Sequence, residues 1–138
     1  MGYITKLQWG GGLSFDVELD GHRCKVDADK EFGGEDRGPK PKGLVLAALA
    51  GCTGMDVASI LRKMRMSWDS LALEVDAEMA DEHPKVYTHI TVRYVFRGEQ
   101  LDRAKIERAV ALSRDKYCGV MAMLRKAAEI DTEILINP

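Results

Sequence analysis

Apolar and polar residues alternate in "YITKLQW", "LSFDVEL" and "HRCKVDA", the two-residue period of half-buried strands. Gly11-Gly12 and Asp20-Gly21 stand between these segments, so the chain is predicted to open as a β-meander with tight turns. Gly33, Gly34, Gly38, Pro39 and Pro41 then interrupt any regular pattern between Phe32 and Lys42. From there an apolar run predicts one long helix ending near Met64. Alternation returns in "LALEVDAEMA" and "VYTHITVRYVF", separated by "DEHPK", which predicts an antiparallel hairpin. Leu101, Ile106, Ala109, Val110 and Leu112 fall at helical spacing within "LDRAKIERAVALSRDKY". A break at Cys118-Gly119 precedes a second short helix in "GVMAMLRKAAE", and "IDTEILI" reads as a closing strand. No repeat, low-complexity tract or linker divides the chain, so a single domain over 1–138 is expected.

Composition excludes several classes. With 138 residues and 46% hydrophobic side chains, the chain can bury a core without disulfide or metal staples. A formal net charge of −2 with both signs interspersed supplies no electrostatic footprint for nucleic acid or an anionic membrane surface. "MGYITKLQWG" lacks the apolar core and cleavage site of a signal peptide, and a cytoplasmic location is expected. Leu44 to Leu61 is long enough to raise the question of a membrane span. Asp56 within it would cost about 3 kcal/mol at a bilayer centre, so a buried helix of a globular protein is the expectation. Three cysteines without CxxC spacing argue against a secreted disulfide framework and a four-thiolate zinc site.

The candidate chemistry is a short list. Cys52 lies inside the apolar helix, where cysteine commonly behaves as a small hydrophobe. Cys118, beside Gly119 at a predicted helix N-terminus, stands where unpaired N–H groups and the helix dipole favour a thiolate. His22 and Cys24, with His83 and His89, can be assembled into a metal site on paper, but nothing in their spacing demands one. No metal and no cofactor is therefore expected.

The ordered pair "PKGLVLAALAGCTGMDVASIL" and "SRDKYCGVMAML" resembles the OsmC/Ohr family, the osmotically inducible and organic hydroperoxide resistance proteins, in a divergent branch. The resemblance spans most of the chain. It implies an α+β fold with antiparallel sheets around a long central helix, in an intertwined homodimer. It also implies a thiol-dependent peroxidase with a role in oxidative stress, in which Cys52 attacks a hydroperoxide and Cys118 closes a disulfide that a thiol reductant reopens. Cys24 matches neither position. The peroxidase members pair an Arg in the preceding loop with a Glu directly after the Pro. Here Glu31 stands at or next to the Arg position and Lys42 follows Pro41, so the pair is reversed in sign. Lys42 or Arg37 is then the expected cation beside the thiolate, and Asp56, one helical turn after Cys52, is expected to oppose its formation. Two other readings stay open: a non-enzymatic binding protein with a hydrophobic small molecule in the dimer cleft, and a metal-binding protein through His22 and Cys24.

Overall fold

The computed structural model describes residues 2–138, and the chain divides into two compact units, Met1–Leu46 and Ala47–Pro138. The first unit is the expected meander. Strands β1 (Lys6–Trp9), β2 (Phe15–Leu19) and β3 (His22–Val26) pair antiparallel in that order. Leu19 pairs with His22 across Asp20 and Gly21, both with positive φ (52° and 77°). Positive φ at both central residues is what a type I′ hairpin turn requires, and Asp-Gly supplies it cheaply.

The Gly- and Pro-rich segment after β3 is organised around Asp27, which is buried. Its carboxylate accepts hydrogen bonds from the backbone N–H groups of Ala28 (2.7 Å), Glu35 (3.2 Å) and Arg37 (3.2 Å). Those donors, the Ala28 amide foremost, hold its pKa below the usual carboxylate value. A side chain at Gly34 would overlap the Ala28 backbone, and one at Gly38 the Lys25 carbonyl. The segment is glycine-rich because its backbone folds onto itself.

Helix α1 (Pro41–Lys63) begins in the first unit and ends in the second. Its buried residues are Leu49, Thr53, Val57 and Leu61, a single i, i+4 stripe. The sequence suggested a buried helix; in the chain itself only this stripe is buried, and Leu44, Val45 and Met55 remain exposed. By length and composition α1 could cross a membrane. The buried Thr53 on its core-facing stripe instead marks a helix packed within a folded domain.

In the second unit, β4 (Ser70–Met79) and β5 (Tyr87–Arg97) form the predicted antiparallel hairpin. Strand β6 (Glu129–Ile136) pairs with β5 in parallel, giving the order β4-β5-β6. The expected antiparallel pairing holds for β1–β2, β2–β3 and β4–β5; only the β5–β6 pair is parallel, and the reason is the connection. Parallel neighbours need a long crossover, which α2 (Arg103–Leu112), a π turn (Ser113–Tyr117) and α3 (Gly119–Leu124) provide. The helical pattern read through Tyr117 is borne out, as α-helix to Leu112 and as the π turn to Tyr117, whereas α3 stops at Leu124 rather than continuing to Glu129.

On one face of β5, Ile90, Val92, Tyr94 and Phe96 are fully buried, together with Leu49, Val57 and Leu61 of α1, Ile106 and Ala109 of α2, and Met121 of α3. Trp68 closes one end edge-on to Phe96, ring centroids 6.4 Å apart. The opposite face carries charge: Arg93 reaches Glu133 (3.0 Å) and Asp76 (3.6 Å), and His89 meets Asp131 (2.6 Å). One side chain caps α2 and another ties it to the end of α1. The Asp102 carboxylate accepts from the N–H groups of Ala104 and Lys105 as N-cap, and the Lys105 ammonium donates to the Met64 carbonyl just past the end of α1 (3.1 Å).

Candidate functional site

Cys52 and Cys118 come together in the second unit although 60 and more positions of chain would allow otherwise; α1 presents the first, and the crossover delivers the second. The Cys52 and Cys118 sulfurs and one Asp56 carboxylate oxygen all lie within 4.8 Å of one another. Cys52 and Asp56 are half-buried, whereas Cys118 is only 3% exposed. Asp56 follows Cys52 by one turn of α1, which puts both on one face.

Cys118 is placed by the π turn. Its backbone N–H donates to the Ser113 carbonyl at 2.8 Å, the wider closure of a π turn. Cys118 then becomes the N-cap of α3, with its Sγ accepting from the Met121 N–H at 3.3 Å. The sequence suggested that this position would favour a thiolate. Its pKa is instead raised to about 11. Burial is the largest cause, and it outweighs the Met121 hydrogen bond, which acts the other way; the hydrogen bond to Cys52 and the charges of Cys52 and Asp56 add to the rise. Cys118 is therefore the proton-holding member of the pair.

Behind the sulfurs runs a buried chain of hydroxyls that the sequence did not reveal. The Ser113 hydroxyl donates to Asp56 Oδ2 at 2.9 Å. Ser113 and Thr53 oxygens are 2.7 Å apart, and Thr53 Oγ1 and the Tyr94 hydroxyl are also 2.7 Å apart. Each hydroxyl has a single proton. Since Ser113 spends its proton on Asp56, Thr53 donates to Ser113 and Tyr94 donates to Thr53. The relay thus points from the sheet to the carboxylate and fixes the carboxylate beside the thiols. Burial is the main cause that raises the Tyr94 pKa, so it stays a neutral donor. Thr53 and Ser113 could have been suspected as polar residues at core positions of apolar helices; Tyr94, inside a strand of regular alternation, carried no signal.

Of the other candidates, His83 and His89 lie in the second unit, where His89 meets Asp131, and the rest lie in the first. Glu31 is exposed in a short 3-10 turn (Lys30–Phe32), Arg37 is ion-paired with Glu35, and Lys42 is the second residue of α1. Cys24 is exposed on β3 opposite Val17, and His22 is opposite Leu19. Among the described residues, neither belongs to a group of three potential metal ligands; Cys52, Asp56 and Cys118 form such a group.

The family model for OsmC-like proteins matches residues 33–133. The chain is 36% identical over 127 residues to Protein YhfA of Escherichia coli (strain K12), covering 91% of this chain and 92% of that protein. Its fold is similar to that of a hypothetical protein from Aquifex aeolicus VF5, with a TM-score of 0.88 at 26% identity, over 99% of this chain and 97% of the other. It is also similar in fold to an organic hydroperoxide resistance protein OsmC from Legionella pneumophila, with a TM-score of 0.72 at 17% identity over 98% and 97% of the two chains. With the OsmC-like family model matching residues 33–133 and a relative 36% identical over 91% of the chain, the chain belongs to the OsmC-like family.

Proposed function

We propose that the protein is a thiol-dependent peroxidase-like enzyme in which Cys52 is oxidised by a hydroperoxide and Cys118 resolves the product. The observation that carries this reading is the pairing of a half-buried thiol with a buried one, their sulfurs within 4.8 Å of each other. Only a thiolate attacks an O–O bond effectively, and the half-buried Cys52 is the sulfur an oxidant can approach. The Cys52 sulfur attacks the terminal peroxide oxygen, the O–O bond breaks, and the alkoxide leaves as alcohol after taking a proton. The sulfur has lost two electrons and is a sulfenic acid. Cys118 then displaces its hydroxyl: the S–O bond breaks, the S–S bond forms, and the hydroxyl leaves with the Cys118 proton as water.

The same geometry orders the two steps. Burial foremost holds the proton on Cys118, and the hydrogen bond and charge of Cys52 add to it. A neutral sulfenic acid removes that charge, so the Cys118 thiol ionises more readily once it is needed. A small or protein dithiol returns two electrons by exchange. The OsmC-like fold is a soluble domain, and a reducing cytoplasm would keep the three thiols free between turnovers. Members of the family are typically homodimers, and the exposed apolar residues of α1 support the same assembly here.

The test is to treat the fully reduced protein with one equivalent of several hydroperoxides and map cysteine linkages by mass. A Cys52–Cys118 disulfide with Cys24 left free is expected, and Cys118→Ser should accumulate higher oxides at Cys52. Oxidation of Cys24 ahead of an unmodified Cys52 would end this reading. A second reading has its own observation: Ala50, Gly51, Gly54, Met55 and Ala58 of α1 form, with Leu71 and Leu73 of β4, an open apolar groove of about 430 Å³. It favours a protein that binds a hydrophobic small molecule. Saturable binding of such a ligand by a Cys52→Ser, Cys118→Ser protein would support it.

A further inference from the structure

We propose that Cys52, Asp56 and Cys118 also form a binding site for a thiophilic divalent cation of the zinc class, and that oxidation of the two thiols expels it. The binding half stands on geometry alone; the release half rests on the reading of the two cysteines as an oxidisable pair. Two sulfurs and a carboxylate oxygen converge within 4.8 Å of one another. In a tetrahedral zinc site, bond lengths of about 2.0–2.3 Å put neighbouring ligand atoms about 3.5 Å apart, so small side-chain rotations close the set. Soft thiolates select zinc over the hard magnesium and calcium ions, which prefer oxygen.

The surroundings are those of a supported site. Ser113 donates to Asp56 Oδ2, and Thr53 and Tyr94 stand behind Ser113, which orients the carboxylate as outer-shell partners orient metal ligands. The Met121 N–H points at Cys118 Sγ, where it can stabilise a sulfur ligand. Three protein ligands leave a fourth position, and the partial exposure of Cys52 and Asp56 leaves solvent a way to fill it. The ligands were not legible as a metal set because Cys52 and Asp56 come from α1 and Cys118 from the crossover.

Occupancy and disulfide formation exclude each other, because both use the same two sulfurs. Two metal-bound thiolates give two electrons to a hydroperoxide, which takes up two protons and leaves as alcohol and water. A disulfide forms, and the cation departs with its charge unchanged. A bound cation would thereby shield the thiols, and an oxidant would set it free.

The full-length protein, reduced and stripped with chelator, is titrated with Zn²⁺ against a chromophoric competitor and separately with Co²⁺. One ion per chain is expected, with thiolate-to-cobalt charge-transfer absorption and tetrahedral d–d bands. Cys52→Ser and Cys118→Ser should each lose stoichiometric binding, and Asp56→Asn should weaken it by about tenfold or more. Ser113→Ala should weaken it by about tenfold, and Cys24→Ser should leave it unchanged. Circular dichroism of each metal-free variant controls for folding, and Cys52→Ser, at the half-exposed position, serves if the buried Cys118 variant fails to fold. Absent stoichiometric binding, or binding that survives Cys52→Ser, or binding abolished by Cys24→Ser, overturns the site.

The zinc-loaded protein is then treated with the dithiol oxidant diamide and, separately, with cumene hydroperoxide, while a zinc dye records release. One ion freed per disulfide in both arms supports the whole proposal. Release by diamide alone upholds the site and its coupling to disulfide formation but overturns release by a hydroperoxide, while the peroxidase reading is judged separately on the metal-free reduced protein. Retention of zinc after diamide has formed the disulfide overturns the release.

Discussion

Replacing Thr53 with Val tests the buried relay directly. Thr53 is fully buried and makes two 2.7 Å hydrogen bonds, to Tyr94 and to Ser113. Valine has the same shape, so no cavity opens, and the change isolates the hydroxyl. Ser113 keeps its bond to Asp56, but the Tyr94 hydroxyl loses its acceptor inside the core. Two lost hydrogen bonds at about 1 kcal/mol each, with about 1 kcal/mol more for the orphaned phenol, give about 3 kcal/mol. For a chain of this size that corresponds to a fall in Tm of about 10 °C. The measurement is urea and thermal unfolding at one fixed protomer concentration, since association would otherwise shift the midpoint. A double-mutant cycle with Tyr94→Phe sharpens the result. Once Val stands at 53 the phenol has nothing to donate to, so Thr53→Val with Tyr94→Phe should be milder than the sum of the singles by about 1–2 kcal/mol. A Thr53→Val protein within about 0.5 kcal/mol of the parent, or an additive cycle, would refute the directed relay.

The Cys118 thiol should titrate near pH 11 by thiolate absorbance, and in Cys52→Ser its pKa should fall yet stay above 9.0, because burial is the largest cause and remains. The sign for stability follows from a raised folded pKa: the contribution is complete below the unfolded value of 9.0 and is lost as pH rises toward about 11; a melting midpoint that does not fall across that window in the parent relative to Cys118→Ala would contradict it. Gly34→Ala places a methyl group against the Ala28 backbone and should cost about 1–3 kcal/mol or more, whereas Gly43→Ala, with open space at its Cβ inside α1, should be neutral or stabilise by up to about 1 kcal/mol; equal stabilities would remove the close-approach account of the loop. Met55, 75% exposed on α1, is a candidate contact of the proposed homodimer, and Met55→Asp should convert a dimer to a monomer in sedimentation without loss of helical circular dichroism; a parent protein that sediments as a monomer at micromolar concentration sinks the assembly.

The strand and helix order was legible because it depends on local periodicity. Alternation marked β1 to β6, and Gly and Pro marked the segment before α1 and the break at Cys118-Gly119, since turn chemistry is written in one or two residues. Cys52 and Cys118 were singled out as thiols, and the family resemblance supplied their pairing. The parallel seating of β6 was not legible, because strand direction depends on the path of the crossover rather than on the pattern within the strand. The Asp56–Ser113–Thr53–Tyr94 relay was hidden for the same reason: its members come from α1, β5 and the π turn, and their spacing along the chain encodes no contact. Position also misled at Cys118, where a helix N-terminus argues for a thiolate while burial, decided by packing of the whole second unit, holds the proton on. Local sequence set the elements and the chemical groups; the tertiary fold decided which groups meet and how far water can reach them, and those two quantities set what the thiols can do.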